Sequence, residues 1–155
     1  MSLLKSLGVA TTVLMLAVPA VSFAQSERDI HQEEANRELV VDFYNRFFND
    51  HDTEKSAEVL APDYIQHNPG VPDGRAPVVE YFSSYFKAHP DYKSEIMRSA
   101  ADGDLVWLHV HSTESDKDQG EAVVDIFRVN DGKIVEHWDV IQPVPDKSAN
   151  DNTMF

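Results

Sequence analysis

The chain has 155 residues, 42% of them hydrophobic, enough for one domain with a real core. Thirteen Lys and Arg stand against 27 Asp and Glu, a formal net charge of -14, and no basic patch offsets it, which argues against a nucleic-acid partner. The absence of cysteine excludes disulfides, thiol catalysis and cysteine-held metals.

Residues 1–24 read as a secretory signal peptide. Lys5 supplies the positive start, residues 7–18 the apolar run, and Ser22-Phe23-Ala24 a small-x-small cleavage site before Gln25. An uncleaved anchor is the competing reading, against which Pro19, Ser22 and the modest hydrophobicity argue. The mature chain is expected to be periplasmic or secreted, with no stable membrane association. Residues 25–34 form a polar lead-in, 35–142 the folded domain and 143–155 a tail.

From Ala35 the apolar residues recur at helical spacing, through Leu39, Phe43 and Phe47, with Val40, Tyr44 and Phe48 beside them. That stripe reads as core. A short second helix starts at Asp52 or Thr53 and stops before Pro62. Residues 63–69 then read as a short strand running into a loop, which Pro69, Gly70, Pro72, Asp73 and Gly74 make rigid. Pro77 suits the first turn of a third helix, with Val78, Phe82, Tyr85 and Phe86 on its apolar face.

Beyond Tyr92 the period changes to two. Strands are expected at 92–101, 104–113, 121–130 and 133–142, with turns at Asp102-Gly103 and Asp131-Gly132. Three helices followed by an antiparallel meander give an α+β fold, a curved sheet wrapped over helices with a cavity between.

Asp125 interrupts the apolar run Val123-Val124-Asp125-Ile126-Phe127 and shares a face with Val123, Phe127 and Val129. A carboxylate there is costly unless paired, hydrogen-bonded or facing a cavity. His137 and Asp139 on the next strand share a side with Val135 and Ile141. Trp107, His109 and His111 alternate along one face of another strand, opposite Leu108 and Val110. His-x-His on a strand suits a metal, and the spacing approaches a cupin motif, but the second motif is missing and no metal or cofactor is expected. His67, His111, Asp125 and His137 all fall on expected strands of one sheet. Their convergence in a pocket would place carboxylate beside imidazole, a proton-transfer arrangement.

Tyr64-Ile65-Gln66-His67-Asn68-Pro69, the Pro72-Asp73-Gly74-Arg75 turn and the segment from Asp125-Ile126-Phe127-Arg128 to His137-Trp138-Asp139 resemble the SnoaL-like polyketide cyclases. These belong to the nuclear transport factor 2-like superfamily of cone-shaped α+β barrels. The resemblance spans about residues 35–155. It implies an aldol cyclase or isomerase-type activity on a small hydrophobic carbonyl compound, with Asp125 as acid/base and His111 beside it. It also implies substrate contacts from His67 and Asn68, while His109, Trp107 and His137 join them as candidate pocket residues. An exported protein that binds a small molecule in the same pocket without catalysis is the alternative. A homodimer is expected through the outer sheet face, using Val124, Ile126, Leu108 and Val110.

Overall fold

The computed structural model describes residues 28–155. The elements run α1 (Ile30–Tyr44), α2 (Thr53–Ser56), β1 (Leu60–Gln66), α3 (Arg75–Ala88), β2 (Lys93–Asp102), β3 (Leu105–Thr113), β4 (Glu121–Asn130) and β5 (Lys133–Pro143). The expected signal peptide and its cleavage site lie outside the described residues. Among those described, no helix is long and apolar enough to cross a membrane.

Helix α1 begins at Ile30 rather than Ala35, because polar residues tie its start down. Asp29 caps it by accepting the Gln32 N–H at 3.0 Å. Glu33, almost fully buried, accepts from Arg28 at 2.9 Å and from the Gly103 N–H at 3.0 Å, fastening the helix to the β2–β3 turn. After Tyr44 the chain makes one π turn, Asn45–Asn49, which rotates the aromatic stripe relative to a regular helix. The short second helix stops before Pro62 as expected, and Pro62 itself lies inside β1. It is tolerated because β1 is an edge strand, paired only at Leu60, Ile65 and Gln66, with Pro62 in the gap.

The sheet order is β1-β5-β4-β3-β2. Strands β2 to β5 form the expected antiparallel meander, but β1 runs parallel to β5, so the sheet is mixed rather than wholly antiparallel. The β4–β5 turn has Asp131 at φ 48° and Gly132 at φ 70°, the paired positive φ that a tight hairpin demands. Register shifts between Ile96 and Arg98, and between Arg128 and Val129, bend the sheet. The second shift turns Ile134 into the core opposite Val129, so Val135 does not share the face of His137 as strict alternation would require.

The concave face holds the core. Val106, Leu108 and Val110 of β3 meet Phe127, Asp125 and Val123 of β4 as direct partners, and Val40, Phe43, Tyr44 and Phe47 cover them from the helix layer. Full burial of one such side chain is worth about 1.5–3 kcal/mol. Leu108 and Val110 therefore face inward, not toward the outer surface assigned to them. The outer face carries exposed Trp107, Val124 and Val140 instead.

Candidate active site

Between the concave face and helices α1 and α3 lies a cavity of about 690 Å³, within the usual range for small-molecule sites. Phe43, Phe47, Phe48, Phe82, Tyr85 and Tyr92 form its aromatic wall. These rings pack edge-on and tilted, for example Phe47 on Phe82 at 5.4 Å, which holds the wall in shape without filling the space.

At the buried end stands Asp125, 5% exposed. Its Oδ1 lies 2.9 Å from His137 Nε2, and its Oδ2 accepts the Tyr44 hydroxyl at 2.9 Å. Tyr44 has one proton and gives it to Asp125, so Ser94 Oγ, 3.0 Å away, donates to Tyr44 in turn. On the far side of the imidazole, Nδ1 lies 2.8 Å from Gln66 Oε1. That oxygen also accepts the Asn68 backbone N–H at 3.0 Å, which fixes the amide's orientation and makes Nδ1 a donor. A single proton then lies between Nε2 and Oδ1. The pair is either imidazolium with carboxylate or imidazole with carboxylic acid, and interconversion moves that proton by a fraction of an ångström.

Burial, then the charge of Asp125, pushes the Tyr44 hydroxyl well above the ordinary tyrosine value, so it remains a donor. Tyr64, also buried on the cavity wall, is raised in the same way by burial, then by Asp125 and Asp139. Burial likewise pushes Tyr92 up to about 12. Asn68 Nδ2 donates to Asp139 Oδ2 at 2.6 Å, and Asp139 is the direct cross-strand partner of Asp125. One donor atom each from Asp125, His137 and Asp139 falls within 4.8 Å of the others, the set among the described residues suited to a cation.

The site brings together Asp125, His137 and Asn68 from the sequence reading. It does not bring in His111. Residues directly paired across an antiparallel ladder share a face, and His111 pairs with Ala122, His109 with Val124 and Trp107 with Ile126. All three therefore point to the outer surface. His111 Nε2 donates to the Gln119 carbonyl at 2.9 Å and its ring stacks on Phe155 at 4.1 Å. His109 Nδ1 accepts from Arg98 at 2.5 Å, and Trp107 is 40% exposed. His67 is also off the cavity wall, bonded to Glu136 at 2.8 Å and stacked on Trp138 at 4.7 Å. Tyr44, Tyr64, Gln66 and Ser94 are not among the candidates, and Asp139 enters the sequence reading only as the neighbour of His137 on its strand, with no role in the site. Gln66, two residues before Asn68, and Asp139, two after His137, carried an alternation signal that could have found them. Tyr44 and Ser94 carried none beyond helix and strand periodicity.

The family model for the SnoaL-like domain matches residues 40–137. The chain belongs to this family. Solved structures share the SnoaL-like fold at low identity. A candidate ketosteroid isomerase of Kribbella flavida is 23% identical with a TM-score of 0.59, covering 77% of this chain and 86% of its own. A candidate polyketide cyclase of Acidithiobacillus ferrooxidans is 21% identical with a TM-score of 0.60, covering 69% and 87%. An NTF2-like protein of unknown function from Mesorhizobium loti is 24% identical with a TM-score of 0.59, covering 72% and 93%. No curated protein sequence matches the SnoaL-like chain.

Proposed function

We propose that this SnoaL-like protein is a cofactor-independent proton-transfer enzyme, of aldol-cyclase or isomerase type, acting on a small hydrophobic carbonyl compound. The observation that carries the reading is the Asp125–His137 pair, held on both outer sides by Tyr44 and Gln66 at the buried end of an aromatic cavity. Asp125 in its carboxylate form takes the proton α to the substrate carbonyl, and His137 balances the charge. Tyr64, kept protonated by burial, donates to the developing enolate oxygen. The structural neighbours described as candidate ketosteroid isomerase and polyketide cyclase carry names consistent with such chemistry.

The test is deuterium exchange at the α carbon of a panel of aromatic and alicyclic ketones, followed by proton NMR. Exchange above the buffer rate is expected, falling about 10²–10⁴-fold in Asp125→Asn while the fold persists. Ketones that bind without exchanging would make the pocket a binding site and overturn the enzymatic reading.

An exported location is proposed alongside, on the strength of Lys5, the apolar run 7–18 and Ser22-Phe23-Ala24. Protein from a secreting host should begin at Gln25, and an intact Met1 overturns this. A homodimer through the outer sheet face is supported by exposed Trp107, Val124 and Val140, and sedimentation equilibrium at tens of micromolar decides it.

A further inference from the structure

The cavity's charge is one-sided. Asp125 and Asp139 stand side by side at its buried end as cross-strand partners, with only His137 between them. Like charges directly opposite one another on a ladder are unfavourable without a compensating positive group. Toward its exposed end the cavity is lined by Glu114, Asp118, Glu121 and Asp146 and, among the described residues, by a single lysine, Lys117. Asp118 is held below the ordinary carboxylate range by the backbone N–H groups of Glu114 and Gly120, so it stays charged. Among the described residues, no arginine lines the cavity.

A low-dielectric cleft lined by one sign of charge concentrates ligands of the other sign. The wall adds a second preference, since Phe and Tyr faces attract cations. Asp139 supplies the anchoring group. Its Oδ2 is fixed by Asn68, and the side chain is half-buried on the cavity surface.

Resting on the proposed reading of this pocket, we infer that its ligands are hydrophobic compounds bearing a protonated amine, seated against Asp139 with the apolar body along the aromatic wall. Carboxylates and phosphates of the same size are rejected. The ammonium group offsets the second carboxylate at the buried end and leaves Asp125 and His137 free to exchange their proton.

Three probes of nearly equal size separate the terms: 4-phenylbutylamine, 4-phenyl-1-butanol and 4-phenylbutyrate, titrated by calorimetry at low ionic strength and neutral pH. The expected order is amine, alcohol, carboxylate, with the amine about tenfold or more tighter than the carboxylate. The ratio should shrink as salt is added. Asp139→Asn should remove most of the amine's advantage over the alcohol. The salt titration on the wild type stands as evidence if that variant folds poorly. Alcohol binding with no preference for the amine, or a preference insensitive to both salt and Asp139→Asn, overturns the charge inference while leaving the pocket intact. If none of the three binds, the pocket reading falls together with this inference. Ketone exchange through Asp125 is measured separately and identifies failure of the chemistry alone.

Discussion

His137 Nε2 reaches Asp125 Oδ1 at 2.9 Å diagonally across the β4–β5 ladder, since the direct partners are Asp125 with Asp139 and Phe127 with His137. Diagonal neighbours are further apart than direct ones, so a long planar side chain is needed to close the gap. His137→Gln should lower α-proton exchange by about 10²-fold, because the amide cannot take up the shared proton. His111→Gln, on the outer face, should leave exchange unchanged and move stability by no more than about 0.5 kcal/mol. Kinetics of the two variants side by side check the assignment. Loss of activity in the His111 variant with retention in the His137 variant would reverse it.

The architecture was largely legible because period and punctuation agree along most of the chain. Asp131-Gly132 announces its hairpin, and the limits of β2 to β5 differ from expectation by a residue at most, whereas β1 begins at Leu60, three residues ahead of the expected stretch. Asp125 was legible for a different reason: a carboxylate among Val123, Val124, Ile126 and Phe127 needs a partner wherever it lies. The resemblance sets His111 beside Asp125 and the structure sets His137 there, because alternation tells which residues share a face within a strand, not which face meets the neighbour's. That depends on register, and a one-residue slip inverts it. The apolar alternation of Val106, Leu108 and Val110 marked the core face of β3 and already put His111 outside. Pairing through the parallel edge β1, which delivers Gln66 to His137, is long-range and leaves no local pattern.

Acid stability should depend on Glu33. Its carboxyl lies below the ordinary value of 4.5, chiefly through its hydrogen bond from Arg28 and then that from the Gly103 N–H. A carboxylate whose folded value is depressed adds stability above its unfolded value and loses it as pH falls through the folded one. Glu33→Gln should therefore lower the unfolding midpoint at neutral pH, with the difference from wild type narrowing progressively below pH 4.5. Urea titrations at a series of pH values check it. A difference that stays constant into acid would remove the ion pair from the account.

Gly120 closes the cavity mouth where the long connection re-enters β4. Its φ is +76°, and a Cβ there would fall on the Ser112 carbonyl oxygen and Thr113. Holding a non-glycine residue at such a φ costs about 1–3 kcal/mol before the clash with backbone is counted. Gly120→Ala should lose at least that much in denaturant unfolding. Gly103→Ala, also at positive φ (+61°) but with nothing near the added Cβ, should lose less. Equal losses would show that backbone conformation, not the close approach to Ser112, is what glycine supplies at 120.

Tyr44 is the test of how Asp125, the proposed base, is held. Its ring packs against Phe48 at 4.5 Å and edge-on to Phe127 at 6.2 Å, contacts that phenylalanine would keep. Its hydroxyl alone connects Ser94 to Asp125. Tyr44→Phe therefore removes one oxygen and leaves two buried polar groups short of a partner, at a cost of about 1–3 kcal/mol. Ser94→Ala removes only the outer link, leaves the bond to Asp125 in place, and should cost less. Exchange activity should fall with Tyr44→Phe because the carboxylate loses the contact that fixes its plane against His137, whereas 4-phenyl-1-butanol should bind as before. Combining Tyr44→Phe with Asp125→Asn separates support of the base from packing: residues sharing a buried bond couple by more than about 0.5 kcal/mol, and independent ones do not. Additive losses in that cycle would mean Tyr44 serves only the aromatic wall, and that Asp125 is positioned by His137 alone.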